Sequence, residues 1–363
     1  MRMRTRLALL LASLSFSTWT AAEQPDLAAA MQLPDFAQLP ASTPLQEDTA
    51  GQIYFPTVTP YDFDVLINPA VKMPVHQGMG VLVLPARASA KNPVPAVVLV
   101  HGSGGLTPGR ESRYAALLAA NGYAALYIDY YQPRGITEST PYIAKMMGVT
   151  EFDAAADAYA ALRALNQHPA VDGKRVALAG FSYGGMATRI ALDARVRDAL
   201  AADLPPFAAH VDFYGPCFQD FQLSKTTGAP LLSLRGGEDS SNDLVACAQR
   251  EAELRVAGSE VSSVIYARAG HVWEADIPRA MSNNPYIAGC TMLYDEKGIP
   301  SVDGKPLIPA QAGTERKQRY QLRLTLEGAL GSCVKVGYIV GRDDETRVQA
   351  DYQFLQFLRQ TLR

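Results

Sequence analysis

The sequence has little of what marks nucleic-acid-binding, membrane-spanning or metal-binding proteins. Only 19% of its 363 residues are charged, the net charge is −3, and no basic stripe is interleaved with aromatic residues, so we set a nucleic-acid partner aside. The four cysteines and five histidines show no metal-ligand spacing, and we expect no metal site. Repeats and low-complexity blocks are also missing. The 48% of hydrophobic residues suffice for a large globular core.

The N-terminus has the pattern of a cleavable export signal. Residues 1–6 are basic, residues 7–16 are mostly apolar, and Thr20-Ala21-Ala22 resembles a signal-peptidase site. The apolar run is too short and too rich in Ser and Thr for a stable span. We predict a signal peptide over residues 1–22, with an uncleaved anchor as the alternative. The mature chain is then expected to be soluble, without a membrane span, in the periplasm or secreted.

Four cysteines in an exported chain predict two disulfides. Three connectivities are possible. We favour Cys217–Cys247 and Cys290–Cys333, because each pair falls within one predicted structural segment. Four reduced, buried cysteines are the alternative if the chain is not exported.

The elements expected along the chain indicate an α/β fold. Residues 23–50 are predicted to be a poorly ordered or surface-wrapping extension, and residues 51–363 one domain. Its opening strands, near 53–55, 63–67 and 80–84, should be antiparallel. Strands at 95–100, 123–129, 176–179, 210–214, 230–234 and 261–266 then alternate with helices, which predicts a mostly parallel sheet with helices on both faces. Residues 275–345 lack this rhythm and are predicted to be an insertion or subdomain, with hairpin turns near Asp295 and Asp303.

Residues 175–185, reading RVALAGFSYGG, are the centre of the functional prediction. A short apolar strand ends in Gly180-Phe-Ser182-Tyr-Gly184 and leads into a helix, which is the context of a nucleophile elbow. The flanking glycines permit the sharp turn that exposes the serine hydroxyl. We therefore predict that Ser182 is a nucleophile.

A serine hydroxyl needs a base and an orienting acid. His271 follows the last predicted strand by a short loop, whereas the other four histidines are better explained as structural residues. Asp239 follows the strand at 230–234, with Glu238 and Asp243 as alternatives for the acid. The resulting order of Ser182, Asp239 and His271 is the nucleophile–acid–base order that this type of fold uses.

Two backbone N–H groups are predicted to bind the oxyanion. One belongs to Tyr183, directly after the nucleophile, and the other to Ser103 in the small loop Gly102-Ser-Gly-Gly105. A phosphate-binding loop is the alternative for this glycine-rich stretch. No Lys-Ser/Thr pair follows it and no G-x-G-x-x-G pattern opens a helix, so that alternative fails.

These motifs together resemble the dienelactone hydrolase family of α/β-hydrolases. The resemblance covers residues 80–272 and the terminal helix, and rests on PAVVLVHGSGG (95–105), DYYQPRG (129–135), GFSYGG (180–185), GGED (236–239) and AGH (269–271). It implies the α/β-hydrolase fold and the roles given above to Ser182, Asp239 and His271. The spacing from Asp239 to Cys247 resembles a branch of larger or exported members, which supports pairing Cys247 with Cys217.

Two departures from the family bear on the substrate. The namesake enzymes carry cysteine where this chain has Ser182, and serine suits general esterase chemistry. The segment after His271 has no counterpart in compact members and could wall the pocket. Tyr183, Tyr130, Met146 and Trp273 are predicted to line that pocket, with ordinary core positions as the alternative. Arg134 is a candidate for binding an anionic group, although a salt bridge is its simpler role.

The sequence thus predicts an exported serine hydrolase that cleaves small-molecule carboxylic esters without a cofactor. A peptidase or acyltransferase using the same triad stays open, because the same three residues serve amide cleavage and transfer to other acceptors. A non-catalytic binding protein on a hydrolase scaffold is the remaining alternative. Natural substrate and oligomeric state stay open.

Overall fold

The computed structural model describes residues 32–107, 109–309 and 311–363, with the backbone alone at 326–329. The predicted signal peptide, residues 1–22, lies outside the described residues. Residues 32–50 have no regular secondary structure and run along the surface of residues 51–274 and 346–363, which we call the sheet domain. The Ala37 N–H donates to the Pro133 carbonyl there, and the Thr43 N–H donates to that of Tyr54.

The described residues form a central eight-stranded sheet in the order β1-β2-β4-β3-β5-β6-β8-β9. The first three strands in this order form antiparallel pairs (β1 with β2, and β2 with β4), and all remaining pairs are parallel. This confirms the predicted fold class, including the antiparallel start. The strands are β1 (Gly51–Val58), β2 (Val75–Val83), β3 (Val94–Val100), β4 (Ala124–Asp129), β5 (Val171–Phe181), β6 (Ala209–Phe213), β8 (Leu231–Gly236) and β9 (Val261–Tyr266), with the short β7 (Gln219–Asp220) outside this sheet.

Helices cover both faces of the sheet because its central strands are apolar on both sides. All seven residues of β3 are buried, and they alternate between two cores: Val98 and Val100 pack on one face, Val97 and Leu99 on the other. The helices of the sheet domain are α1 (Phe63–Leu66), α2 (Glu111–Ala120), α3 (Tyr142–Gly148), α4 (Glu151–Gln167), α5 (Tyr183–Ile190), α6 (Ala194–Ala201) and α7 (Leu244–Val256). Helices α4 and α5 contribute to the first core and α2 to the second.

Residues 275–345 add small sheets and one helix, and α9 (Asp344–Thr361) then returns to the second core. The elements of this segment are β10 (Ala280–Met281), β11 (Pro285–Ile287), β12 (Met292–Tyr294), β13 (Pro300–Val302), β14 (Lys305–Pro306), α8 (Arg316–Leu330), β15 (Val334–Val336) and β16 (Ile339–Val340). Strands β12, β13 and β14 form two antiparallel hairpins at the predicted turns. Asp303 and Gly304 both have positive φ, as a tight hairpin turn requires.

Both predicted disulfides are present, Cys217–Cys247 and Cys290–Cys333. Two disulfides are typical of proteins from an oxidising compartment. None of the helices in the described part of the chain is both long and apolar enough to cross a membrane.

One local prediction was wrong. The run at 63–67 forms helix α1 rather than a strand, because Phe63, Val65 and Leu66 all turn into the core from one short turn. Residues 136–150, which show no strong periodicity in the sequence, contain helix α3. Helix α3 is short, and several of its side chains face a cavity rather than the main core, so it lacks a clear apolar stripe.

Candidate active site

Ser182 stands in the tight turn between β5 and α5. Its φ of 56° and ψ of −112° are strained for a residue with a side chain. The turn closes only with glycine at its flanks: a Cβ added at Gly180 would lie 2.0 Å from the Gly184 carbonyl oxygen, and one at Gly184 would lie 2.2 Å from that of Val100. The sequence motif therefore produces the elbow geometry that holds the serine at the carboxyl end of β5.

The structure brings the three predicted catalytic side chains together. Nε2 of His271 lies 2.8 Å from Oγ of Ser182, and Nδ1 of His271 lies 2.6 Å from Oδ2 of Asp239. His271 and Asp239 are both buried, in the loops that follow β9 and β8. They converge because parallel strands deliver their following loops to one edge of the sheet.

The two alternative acids have other contacts. Glu238 is half-exposed and pairs with Arg279. Asp243 caps helix α7, where its carboxylate accepts from the N–H groups of Val245 and Ala246. Neither is hydrogen-bonded to the imidazole of His271 among the described residues.

Asp239 is held by two neighbours that the sequence analysis missed. Its Oδ1 accepts from the Ser241 hydroxyl (2.5 Å) and N–H (3.1 Å), and its Oδ2 accepts from Nδ2 of Asn242 (2.9 Å). Nη1 of the buried Arg235 donates to Oδ1 of Asn242 (2.9 Å) and so fixes which end of the amide faces Asp239. The only sequence signal was the adjacency of these polar residues to Asp239.

A second buried polar group supports the other side of His271. The Tyr214 ring lies 4.5 Å from the imidazole, centroid to centroid, and its hydroxyl donates to the carboxylate of Glu274. Burial raises the pKa of Glu274, while Arg110 and the Tyr214 hydroxyl oppose the shift. These contacts fix the wall behind the imidazole without touching Ser182.

The predicted oxyanion donors face the same cavity as Ser182. Tyr183 is the first residue of α5, so its N–H has no acceptor within the helix. Ser103 lies in the loop after β3, where its hydroxyl is 2.9 Å from that of Tyr142 on α3. Ser103 and Tyr183 both line the cavity.

The cavity above Ser182 has a volume of about 270 Å³ and a mainly apolar lining. We call residues 275–345 the cap, since they supply nearly half of that lining. The sheet domain contributes mainly apolar and aromatic side chains, among them Tyr142, Ile143, Met146, Met147, Phe152, Tyr183, Met186 and Phe218. The cap contributes others of the same kind, among them Tyr286, Ile287, Met292, Tyr294, Leu307, Ile308, Val334 and Tyr338. Tyr183 and Met146 therefore lie where the sequence analysis predicts.

The other predicted substrate-binding residues require correction, because they lie outside the lining of this cavity. Arg134 is fully buried and forms a two-point ion pair with Asp157. Tyr130 is buried under the ring of His101, at 3.8 Å between centroids, which agrees with a structural role for that histidine. Trp273 is buried beside Tyr214. All three are packing residues of the sheet domain.

No group of three or more His, Cys, Asp and Glu residues in the described part of the chain has a metal-binding arrangement. The polar groups around Ser182 instead suit transfer of one proton between an alcohol and an imidazole. The arrangement can deprotonate the serine, hold the resulting imidazolium against a carboxylate, and offer N–H groups to a developing oxyanion.

Comparison with known proteins identifies the family of the chain. The model of the dienelactone hydrolase family matches residues 79–292, more than half of the chain. A protein of Methylorubrum extorquens, predicted to be a carboxymethylenebutenolidase, is 25% identical over 248 residues, which cover 64% of this chain and 81% of the relative. An uncharacterised peptidase of Bacillus subtilis is 25% identical over 222 residues, covering 53% of this chain and 33% of the relative.

Among solved structures, a dienelactone hydrolase-like promiscuous phosphotriesterase from metagenomic libraries is similar with a TM-score of 0.50. The sequence identity is 16%, and the match covers 86% of this chain and 99% of the other. At this identity the likeness bears on the fold alone, and it agrees with the predicted fold class.

Proposed function

We propose, from the premise that the chain belongs to the dienelactone hydrolase family, that it hydrolyses small-molecule carboxylic esters through an acyl-enzyme on Ser182. Family membership supports ester hydrolysis as the class of reaction. The observation that carries the serine mechanism is the pair of contacts from His271, 2.8 Å to Ser182 and 2.6 Å to Asp239.

In this mechanism the Ser182 hydroxyl donates to Nε2 of His271 while Nδ1–H donates to Asp239. Oγ attacks the ester carbonyl as Nε2 takes the proton, and a tetrahedral intermediate forms. Nε2–H then protonates the leaving alkoxide, the C–O bond breaks, and the acyl group stays on Oγ. Water repeats the sequence, with His271 as base, and releases the carboxylic acid.

The oxyanion is proposed to accept from the N–H groups of Tyr183 and Ser103. The supporting observations are that both residues line the cavity and that Tyr183 begins helix α5. Loss of one such donor costs about 2.7–4 kcal/mol of transition-state stabilisation in comparable enzymes. The hydroxyl of Tyr142 fixes the Ser103 loop from the opposite side.

The apolar lining supports esters whose acyl or alcohol part is apolar. Four methionines, Met146, Met147, Met186 and Met292, line the cavity. Thioether side chains adapt to irregular ligands and make favourable contacts with aromatic rings. We therefore propose aryl or medium-length alkyl esters as the substrate class.

Labelling with a fluorophosphonate probe tests the mechanism. Wild-type protein should be labelled and should hydrolyse para-nitrophenyl esters, and Ser182→Ala should do neither while keeping its circular dichroism spectrum. Equal labelling and turnover by both proteins would exclude Ser182 as the nucleophile and contradict the proposal.

A peptidase is the second candidate, favoured by the partial match to the peptidase of Bacillus subtilis. Aminoacyl-nitroanilides assayed beside the ester panel separate the two reactions. The ester proposal expects kcat/KM for esters to exceed that for anilides of matched acyl group by far more than the difference in their uncatalysed rates. Parity after that correction would favour the peptidase.

We also propose that the protein is exported after cleavage behind Ala22 and that residues 275–345 are an insertion in an otherwise continuous hydrolase domain. The two disulfides support an oxidising compartment. Fractionation of expressing cells with N-terminal mass spectrometry of the product tests export. A product that keeps residues 1–22 and stays in the cytoplasm would contradict it.

A further inference from the structure

A second set of polar side chains lines the cavity, apart from Ser182 and His271. It consists of Asp62, before helix α1, Glu151, the first residue of α4, and Arg323 on α8 of the cap; we call it the polar end. Nη2 of Arg323 donates to the Tyr183 hydroxyl (3.1 Å). Because Tyr183 follows Ser182 directly, the polar end lies about one tyrosine side chain away from the nucleophile.

In the described part of the chain, one carboxylate oxygen of Glu151 has no donor within hydrogen-bond distance. The side chain is almost fully buried, and Oε1 accepts from Nε2 of Gln219 (2.6 Å). Oε2 has no hydrogen-bond partner among the described residues and lies 3.6 Å from Nη2 of Arg323, an ion-pair distance. A buried acceptor without a donor is costly, so a ligand that supplies an O–H or N–H to Oε2 is stabilised there.

The charges of the polar end select an uncharged ligand group. A carboxylate on Arg323 would lie close to Glu151 and Asp62, and an ammonium on Glu151 would lie close to Arg323. Burial raises the pKa of Asp62 to about 7, opposed by Arg323 and Arg319, so this carboxyl carries a proton part of the time near neutrality. A hydroxyl can donate a hydrogen bond to Oε2 of Glu151 and accept one from an N–H group of Arg323, so it matches both groups.

The lining that surrounds these polar groups is apolar. Phe152, Met186 and Met292 line the same cavity, and its volume of about 270 Å³ admits an aryl or short alkyl spacer. Methionine sulfur makes favourable contacts with aromatic rings, which favours the aryl spacer.

We propose that Arg323 and Glu151 bind a hydroxyl group of the substrate, so that the preferred esters are those of hydroxyaryl-alkanoic acids with the hydroxyl about one tyrosine length from the scissile carbonyl. This inference rests on the proposed ester hydrolysis for its catalytic meaning. Binding at the polar end can be measured without turnover.

The test uses full-length Ser182→Ala protein and three ketones that mimic the ester but cannot be hydrolysed. Benzylacetone lacks the hydroxyl, para-hydroxybenzylacetone carries it, and para-carboxybenzylacetone replaces it with an anion. Calorimetry should give an affinity for the hydroxyl compound about tenfold higher than for benzylacetone, as expected for a hydrogen bond to charged groups. The carboxylate should bind more weakly than the hydroxyl compound.

Two variants in the same background locate the effect. Arg323→Met removes the donors, and Glu151→Gln replaces the acceptor Oε2 by an amide N–H of the same size. Each should lower the hydroxyl preference to less than about twofold, since each removes one of the two hydrogen bonds. Lys317→Met is the matched control, because Lys317 is an exposed cation on the same helix. It should keep the preference.

Equal affinity for the hydroxyl compound and benzylacetone in Ser182→Ala would overturn the proposal. So would tighter binding of the carboxylate, or a preference that persists in both variants. A failure of the serine mechanism would be recognised separately, as labelling and turnover that survive Ser182→Ala, and would leave these affinities interpretable.

Discussion

The sheet domain and the cap hold their parts of the active site by different means. The sheet domain has two large apolar cores, one on each face of the sheet, and the three proposed catalytic side chains follow β5, β8 and β9. Within the described residues of the cap, the apolar cluster is small and centres on Val302, Leu307 and Cys333. The cap depends instead on the Cys290–Cys333 disulfide and on arginine contacts to the sheet domain.

The arginine contacts come from one stripe of α8. Arg316, Arg319 and Arg323 are spaced by three and four residues and share a face of the helix. Arg316 donates to carbonyl oxygens of the sheet domain and of the N-terminal extension, Arg319 pairs with Asp62 and Asp64, and Arg323 reaches the cavity. The comparison supports the proposal that the sheet domain supplies the reacting groups and the cap selects the ester.

The strongest contrast is expected from removing the base. His271→Ala should lower kcat by about 10⁴-fold or more, because the nucleophile, base and acid of the proposed triad would act as one unit. The melting temperature should change little. A cap variant such as Met292→Ala should alter KM and acyl preference while retaining most of kcat. If His271→Ala lost less than tenfold in kcat, the division between the regions would be wrong.

Removing each disulfide separately is the next test. The two disulfides close loops of 30 and 43 residues, so each should restrict the unfolded chain to a similar extent. Removing either one is expected to lower the free energy of unfolding by about 3–4 kcal/mol. Cys290→Ser with Cys333→Ser should loosen the cap alone, raising KM and opening protease sites within residues 275–345. Cys217→Ser with Cys247→Ser should lower global stability. Limited proteolysis with mass spectrometry and urea unfolding distinguish the two outcomes, and identical cleavage maps would argue against an independently held cap.

A smaller effect is expected where the sheet domain positions its acid. Asn242→Ala removes the donor to Oδ2 of Asp239 and should lower kcat by about ten- to a hundredfold at similar KM, with a shifted pH–rate profile. Asp243→Asn, in the same loop, removes a charge from the N-terminal capping residue of helix α7 and should affect stability more than kcat. Equal kinetic effects of both changes would assign Asn242 a merely structural role.

The smallest effect concerns Asp62, where the cap meets the sheet domain. Burial raises its pKa to about 7, so the folded protein holds a proton that the unfolded chain loses near its ordinary value of 3.8. Stability from this residue should therefore fall as pH rises from about 4 to about 7. Asp62→Asn removes that dependence. Its free energy of unfolding, compared with that of wild type, should therefore be higher at pH 8 than at pH 5. Urea unfolding of both proteins at pH 5 and pH 8 measures this change. The same stability difference between variant and wild type at both pH values would contradict the raised pKa.

The sequence was informative wherever function follows from local pattern. The proximity of Ser182, Asp239 and His271 could be predicted because each follows a recognisable strand, and parallel strands bring such positions to one edge of the sheet. For Arg134 the sequence left two roles open, anion binding and a salt bridge; the structure shows the salt bridge, with Asp157 on α4 as the partner. That pairing is set by how α4 packs on the sheet, which no local pattern records.

By itself the sequence determined the α/β order, the elbow at Ser182 and the two disulfide pairs, because periodicity, glycine placement and chain segments carry that information locally. Only the tertiary structure decided that Arg323 and Glu151 share a cavity with Ser182, that Asn242 faces Asp239, and that the cap forms a wall over the site. Those contacts join residues up to 172 positions apart, and they arise from packing and charge pairing that exist only once the chain has folded.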